Sequence, residues 1–133
     1  MKIAVDFDGT LVEHKYPEIG KEIVFAFDTL KLLEKKGHQL ILWTYRSGRE
    51  LDEAVDYCRS RGIEFYAVNK SYPEEDETDI KSRKIDADLF IDDRNLGGLP
   101  SWGEIYHLIH PEDSGMPTIG QTRKSKKFRL FGK

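Results

Sequence analysis

Two carboxylates one residue apart, Asp6 and Asp8, follow directly on the apolar run Ile3-Ala4-Val5, and Gly9 and Thr10 turn the chain away behind them. Further along, the run Gln39 to Trp43 ends in Thr44, and Leu89-Phe90-Ile91 ends in a second acidic pair, Asp92 and Asp93. Each apolar run reads as a buried β-strand, so each polar group stands at or just past a strand's carboxyl end. In open α/β sheets that edge is where ligands bind. Carboxylates converging there without a counter-charge repel one another, so either their pKa values rise or a cation sits among them. All-oxygen donors with no His or Cys beside them favour a hard ion, Mg²⁺ first. Mg²⁺ commonly joins carboxylates to a substrate phosphate, which points to phosphoryl chemistry.

Strands and helices must alternate to deliver these groups to one rim. The pattern predicts a strand over 3–7 and a helix over 23–36, where Ile23, Phe27, Leu30 and Leu33 keep helical spacing and Gly37 supplies the stop. A second strand, 39–43, leads into a helix opened by Ser47-Gly48-Arg49-Glu50 and ended by Gly62. A third strand covers 63–68, a polar loop 69–78, a short helix 79–85 and a fourth strand 89–91. Ser101-Trp102-Gly103-Glu104 resembles a capping box before a last helix ending near Ile109. This order implies an α/β fold: a Rossmann-like parallel sheet with helices on both faces and right-handed crossovers. The expected domain runs over 1–111, with an irregular, basic tail over 112–133.

A chain of 133 residues, 38% hydrophobic and 34% charged, suits one compact domain with a modest core. No apolar stretch approaches the length of a transmembrane helix. The first residues run straight into a strand, which leaves no room for a signal peptide, and Cys58 is the single cysteine. A reducing, cytoplasmic setting is the expectation, with Cys58 a buried helical residue rather than a nucleophile. The net charge of −3 hides a tail in which Arg123, Lys124, Lys126, Lys127, Arg129 and Lys133 meet no acid. A solvated terminus accounts for such a tail, and it leaves nucleic acid open as a partner. The four histidines show no metal-ligand spacing with one another or with Cys58, and read as surface or structural groups.

Three stretches resemble motifs of the haloacid dehalogenase-like (HAD) superfamily: DFDGTL its first, LILWTYR its second and DLFIDDRN its fourth. Order, spacing and strand context agree over residues 1 to about 110. The resemblance implies a Mg²⁺-dependent phosphatase in which Asp6 attacks phosphorus and carries an aspartyl-phosphate. Asp8 would protonate the leaving oxygen and then activate water. Phosphatases of the superfamily carry this second Asp, whereas its dehalogenases lack it. Mg²⁺ would be held by Asp6, the Asp8 backbone carbonyl and Asp92, with Asp93 in support. Thr44 and backbone amides after Asp6 would bind the transferring oxygens, with Gly9, Thr10, Tyr45 and Arg46 as further substrate contacts. Arg46 also reads as a group that caps and solvates a helix start. The third-motif lysine falls on Lys84, with Lys81 and then Lys70 as alternatives; short relatives place theirs near Lys84, while a helix descending from the rim would favour Lys81.

Only 33 residues separate Thr10 from Thr44, too few for an inserted lid domain, so the resemblance is to capless members. An open site suits an extended phosphorylated substrate, or a small one covered by a neighbouring subunit in a homo-oligomer. The chain leaves open a phosphotransferase, in which an alcohol takes the phosphoryl group. A receiver-like signalling module is the other reading, but its paired acids would follow the first strand, not the last.

Overall fold

A computed structural model describes residues 1–76 and 85–113. The expected helix over 79–85, with Lys81 and Lys84, therefore lies outside the described residues apart from Ile85, and so does the basic tail apart from Glu112 and Asp113. The chain divides into two compact units, Met1–Leu99 and Pro100–Lys133.

The first unit is built on four parallel strands: β1 (Lys2–Val5), β2 (Gln39–Leu42), β3 (Ala67–Val68) and β4 (Leu89–Ile91), in the order β3-β2-β1-β4. Helices α1 (Ala26–Lys35) and α2 (Gly48–Ser60) are the first two crossovers. Both step in the same direction across the sheet, so the right-handed rule places them on one face. The edge-to-face contact of Phe27 and Tyr57, 5.8 Å between centroids, agrees with that. On the opposite face Ala4, Ile41 and Ala67 pack with Ile85, flanked by Trp43, Tyr66, Ala87 and Phe90. The α/β expectation holds: a parallel sheet buried on both faces by apolar strands.

Register fixes the rim. Val5 pairs with Leu42 and Ile91, and Leu42 with Val68, so all four strands end level. The residues that follow stay locked to their neighbours, Asp6 N–H donating to the Ile91 carbonyl at 3.0 Å and Asn69 N–H to the Leu42 carbonyl at 2.7 Å.

Several elements are shorter than their apolar patterns suggest. β1 stops at Val5 because the Phe7 carbonyl takes three N–H groups, from Thr10, Leu11 and Val12, which closes a tight turn. α1 starts at Ala26 because Val12 and Glu22 form a bridge, Ile23 N–H is tied to the Leu11 carbonyl, and Phe25 has a left-handed φ of 66°. A non-glycine residue in that region cannot continue a helix. Ile63 is buried yet outside β3, since its N–H caps the end of α2 on the Cys58 carbonyl. The α1 terminus matches its sequence signal: Gly37, at φ 95°, turns the chain and donates to the Glu34 carbonyl.

In the second unit α3 (Trp102–Ile109) opens with the capping box seen in the sequence, Glu104 N–H donating to Ser101 Oγ at 3.2 Å and Ser101 N–H to Glu104 Oε1 at 3.1 Å. Among the described residues no helix is long and apolar enough to cross a membrane.

Candidate metal centre

The rim brings Asp6, Asp92 and Asp93 together, one carboxylate oxygen of each lying within 4.8 Å of the others. Asp6 leaves β1 and the acidic pair leaves β4, so the β1–β4 register alone creates the cluster. Thr10 stitches it: its buried hydroxyl donates to Asp6 Oδ2 at 3.0 Å and accepts the Asp93 N–H at 3.0 Å. Asp93 Oδ1 is buried without a hydrogen-bond partner among the described residues.

The electrostatics are those of neighbouring carboxylates that disfavour one another's charged form. Burial, then the Asp92 charge, pushes the Asp6 carboxyl up from 3.8 to about 7, only partly opposed by the Thr10 hydroxyl. Burial would raise Asp93 too, but hydrogen bonds from His14 and the neighbouring carboxyls outweigh it, and its carboxyl lies below the usual range. The Asp6 carboxyl is therefore the one in the cluster whose charged form burial and the neighbouring acids disfavour most. Three carboxylates, one orphaned buried oxygen and no sulfur ligand form a donor set that fits Mg²⁺.

Asp8 is placed differently from the other acids. Its two oxygens accept a bidentate fork from Arg46, Nε to Oδ2 and a terminal nitrogen to Oδ1, both at 2.8 Å, with side-chain exposures of 1% and 0%. Arg46 also donates to the carbonyls of Glu18 at 2.8 Å, Pro17 at 3.1 Å and Glu50 at 3.3 Å. Its guanidinium lies 5.0 Å from the Phe7 ring centroid and 5.1 Å from that of Tyr16. The Asp8 carboxylate holds the Arg46 guanidinium further above its ordinary value.

Two expected substrate contacts are therefore committed elsewhere. Arg46 neither faces solvent nor serves as a helix cap; it is the buried partner of Asp8. Thr10 is fully buried and positions Asp6 and Asp93. Gly9 lies against the cluster, where an added Cβ would sit 2.3 Å from both Asp93 Oδ2 and His14 Nε2. Its N–H is spent on the Val12 carbonyl at 2.6 Å. Among the described residues, the N–H groups of Phe7 and Asp8 meet no protein acceptor and remain for a ligand. Thr44 stands at the rim, its N–H on Asn69 Oδ1 at 2.8 Å and its Oγ1 accepting Arg46 N–H at 3.1 Å, which leaves the hydroxyl proton to donate. Tyr45 is exposed at the same edge, and Lys70 follows Asn69 half-buried.

Sequence reasoning missed His14. Its Nε2 lies 3.0 Å from Asp93 Oδ2 in a side chain 51% exposed, and no spacing rule marks a histidine brought in by the loop after the DxD turn. A second grouping, His110, Glu112 and Asp113, lies on an exposed stretch where His110 meets Glu112 and Tyr106 donates to Asp113. Cys58 is buried in α2, its thiol pushed up to about 12 by burial, and is no nucleophile.

Neither a known family profile nor a curated protein matches the chain. Among solved structures it is similar to a conserved protein coded by a locus of Bacteroides thetaiotaomicron, at 61% identity and a TM-score of 0.79, over 86% of this chain and 93% of that one. The chain belongs to that protein's family. The family therefore shares this α/β core, and its function must be argued from the rim.

Proposed function

We propose that the protein is a Mg²⁺-dependent phosphatase of the HAD superfamily, hydrolysing phosphate monoesters through an aspartyl-phosphate on Asp6. The observation that carries this reading is the convergence of Asp6, Asp92 and Asp93 around one point at the sheet's carboxyl edge. Asp6, Asp92 and the Asp8 backbone carbonyl would hold the ion, with Asp93 in support. Bound Mg²⁺ supplies charge neutralisation, for the carboxylates and for the phosphate oxygens. Asp6 attacks only as the carboxylate, the form that a cation held by these acids would favour.

Asp6 attacks phosphorus as the ester P–O bond breaks, and the leaving oxygen departs with the bonding pair. Water then attacks the acyl phosphate, returning the Asp6 carboxylate and releasing inorganic phosphate, the water proton passing to solvent or a base. The N–H groups of Phe7 and Asp8 and the Thr44 hydroxyl are the donors for the transferring oxygens. Asp8 can give or take a proton only by leaving the Arg46 fork. Esters whose leaving group departs unprotonated, such as aryl phosphates, need no such movement, whereas alkyl esters need it so that Asp8 can protonate the leaving oxygen. We place the enzyme in the cytoplasm, in keeping with its single cysteine.

Asp6→Asn tests the assignment. It should lower Mg²⁺-dependent turnover of p-nitrophenyl phosphate by about 10⁴-fold or more while the fold persists. Retained turnover would refute Asp6 as nucleophile.

A further inference from the structure

Tyr16 and Tyr45 come from segments far apart in the chain and meet edge-on, with ring centroids 5.2 Å apart and planes inclined at 61°. Both stay open to solvent, at 47% and 62%. Large aromatic side chains normally gain by burial, and this pair stands instead at the edge where substrate must arrive, Tyr45 being the residue after Thr44. Tyr16 is held by Arg46, whose guanidinium lies over both the Tyr16 and Phe7 rings and is tied to Asp8. The same ion pair removes Arg46 from the rim, so its five N–H groups are spent inside and what faces outward beside Thr44 is ring surface.

We propose that Tyr45, with Tyr16 against its edge, is a stacking platform for a planar ring on the leaving-group side of the substrate, which makes that substrate a nucleoside monophosphate. The proposal rests on the phosphatase reading above and names its substrate class. A base laid on an exposed tyrosine needs no hydrogen-bond partner, because every base has a π-face. A sugar or alkyl phosphate would find little here to hold it beyond its phosphate. Holding the ring beside Thr44 also orients the ester for attack by Asp6.

The test compares adenosine 5′-monophosphate with ribose 5-phosphate on the full chain in Mg²⁺, for the native protein, Tyr45→Ala and Tyr45→Phe, by kcat/KM and by calorimetric binding. The nucleotide should be favoured, the preference should fall about tenfold in Tyr45→Ala, and Tyr45→Phe should keep most of it. Ribose 5-phosphate, which has no base to stack, should lose much less than the nucleotide in Tyr45→Ala, so the ratio of the two values carries the test; Tyr45 is exposed, so its loss leaves the core untouched. Equal losses for both ligands, or a preference unmoved by Tyr45→Ala, would overturn the platform even if both esters are hydrolysed. If neither is hydrolysed but the nucleotide still binds more tightly and loses that advantage in Tyr45→Ala, the platform stands and the phosphatase reading falls.

Discussion

Arg46→Ala should be among the most destabilising single changes available in this chain. The substitution strands the Asp8 carboxylate, 1% exposed, without its fork, and takes a donor from the carbonyls of Pro17, Glu18 and Glu50. Removing one partner of a buried ion pair costs about 3–5 kcal/mol, because the remaining charge cannot be rehydrated in place. Unfolding entropy of about 2.1 cal/mol/K per residue puts each kcal/mol at roughly 3–4 °C for a chain of this length. The expected fall in Tm is therefore about 10–18 °C, read by differential scanning calorimetry at one fixed Mg²⁺ concentration. Arg46→Lys keeps the charge but loses the planar fork, and should fall between the two. Asp8→Leu combined with Arg46→Met removes both charges and should recover at least about 2 kcal/mol relative to the sum of the single changes. Hydrogen exchange should quicken over residues 13–22 in Arg46→Ala, since Arg46 ties that loop to the sheet through two carbonyls. A Tm within about 4 °C of the native value, or strict additivity in the double variant, would refute the reasoning.

Three further outcomes follow from the acid cluster. Asp6 is pushed from 3.8 up to about 7, so between those values the metal-free folded state keeps a proton that the unfolded chain has released. Stability should therefore fall as pH rises across that window; Mg²⁺ binding near pH 6 should release up to about one proton, and a Mg²⁺-dependent rise in Tm that ignored pH would contradict this. Thr10→Ala removes both the donor to Asp6 and the acceptor for Asp93 N–H, and should cost about 1–3 kcal/mol in chemical denaturation while Thr10→Ser keeps most of it. Gly9→Ala meets a left-handed φ of 89° and oxygen and nitrogen atoms at 2.3 Å. It should cost about 1–3 kcal/mol and weaken Mg²⁺ binding in a titration, and unchanged values for both would mean that Asp93 and His14 are not held where they lie.

The fold was legible because it depends on patterns that survive without tertiary detail. Apolar runs marked all four strands, β4 to the residue, and the Ser101–Glu104 box marked the start of α3. Boundaries failed where the backbone found a competing partner. Phe7 looked like strand by hydrophobicity, yet its carbonyl closes a turn. Ile23 kept helical spacing but is tied to Leu11. Periodicity reports which side chains want burial, not which N–H groups are already spent. The acid cluster was readable for a related reason: it follows from strand order and register, and DxD and DD each sit one step beyond an apolar run. The lysine positions 81 and 84 fall outside the described residues, so the site as described is built from its acids, threonines and amides.

Arg46 and Thr10 show what residue type alone does not decide. An arginine just past a rim threonine is as well suited to a phosphate as to a carboxylate, and only the packing of Phe7, Tyr16 and the 13–22 loop around it turns it inward. The consequence reaches the acids themselves. Asp6 and Asp8 are one residue type two positions apart, but one is half-buried beside two other carboxylates, with its carboxyl pushed up to about 7, while the other is enclosed and matched by a fixed guanidinium. Repulsion among carboxylates can be relieved by a permanent cation or by an exchangeable one. At Asp8 the fold uses the permanent kind, with every N–H of Arg46 accounted for. At Asp6, Asp92 and Asp93 it leaves one carboxyl pushed up to about 7 and, among the described residues, an unpartnered oxygen on another. A structural salt bridge would serve stability better there. A carboxyl pushed up to about 7 is poised to exchange a proton for an ion, and on the proposed reading the DxD pattern is one ligand and one brace, not two equivalent acids.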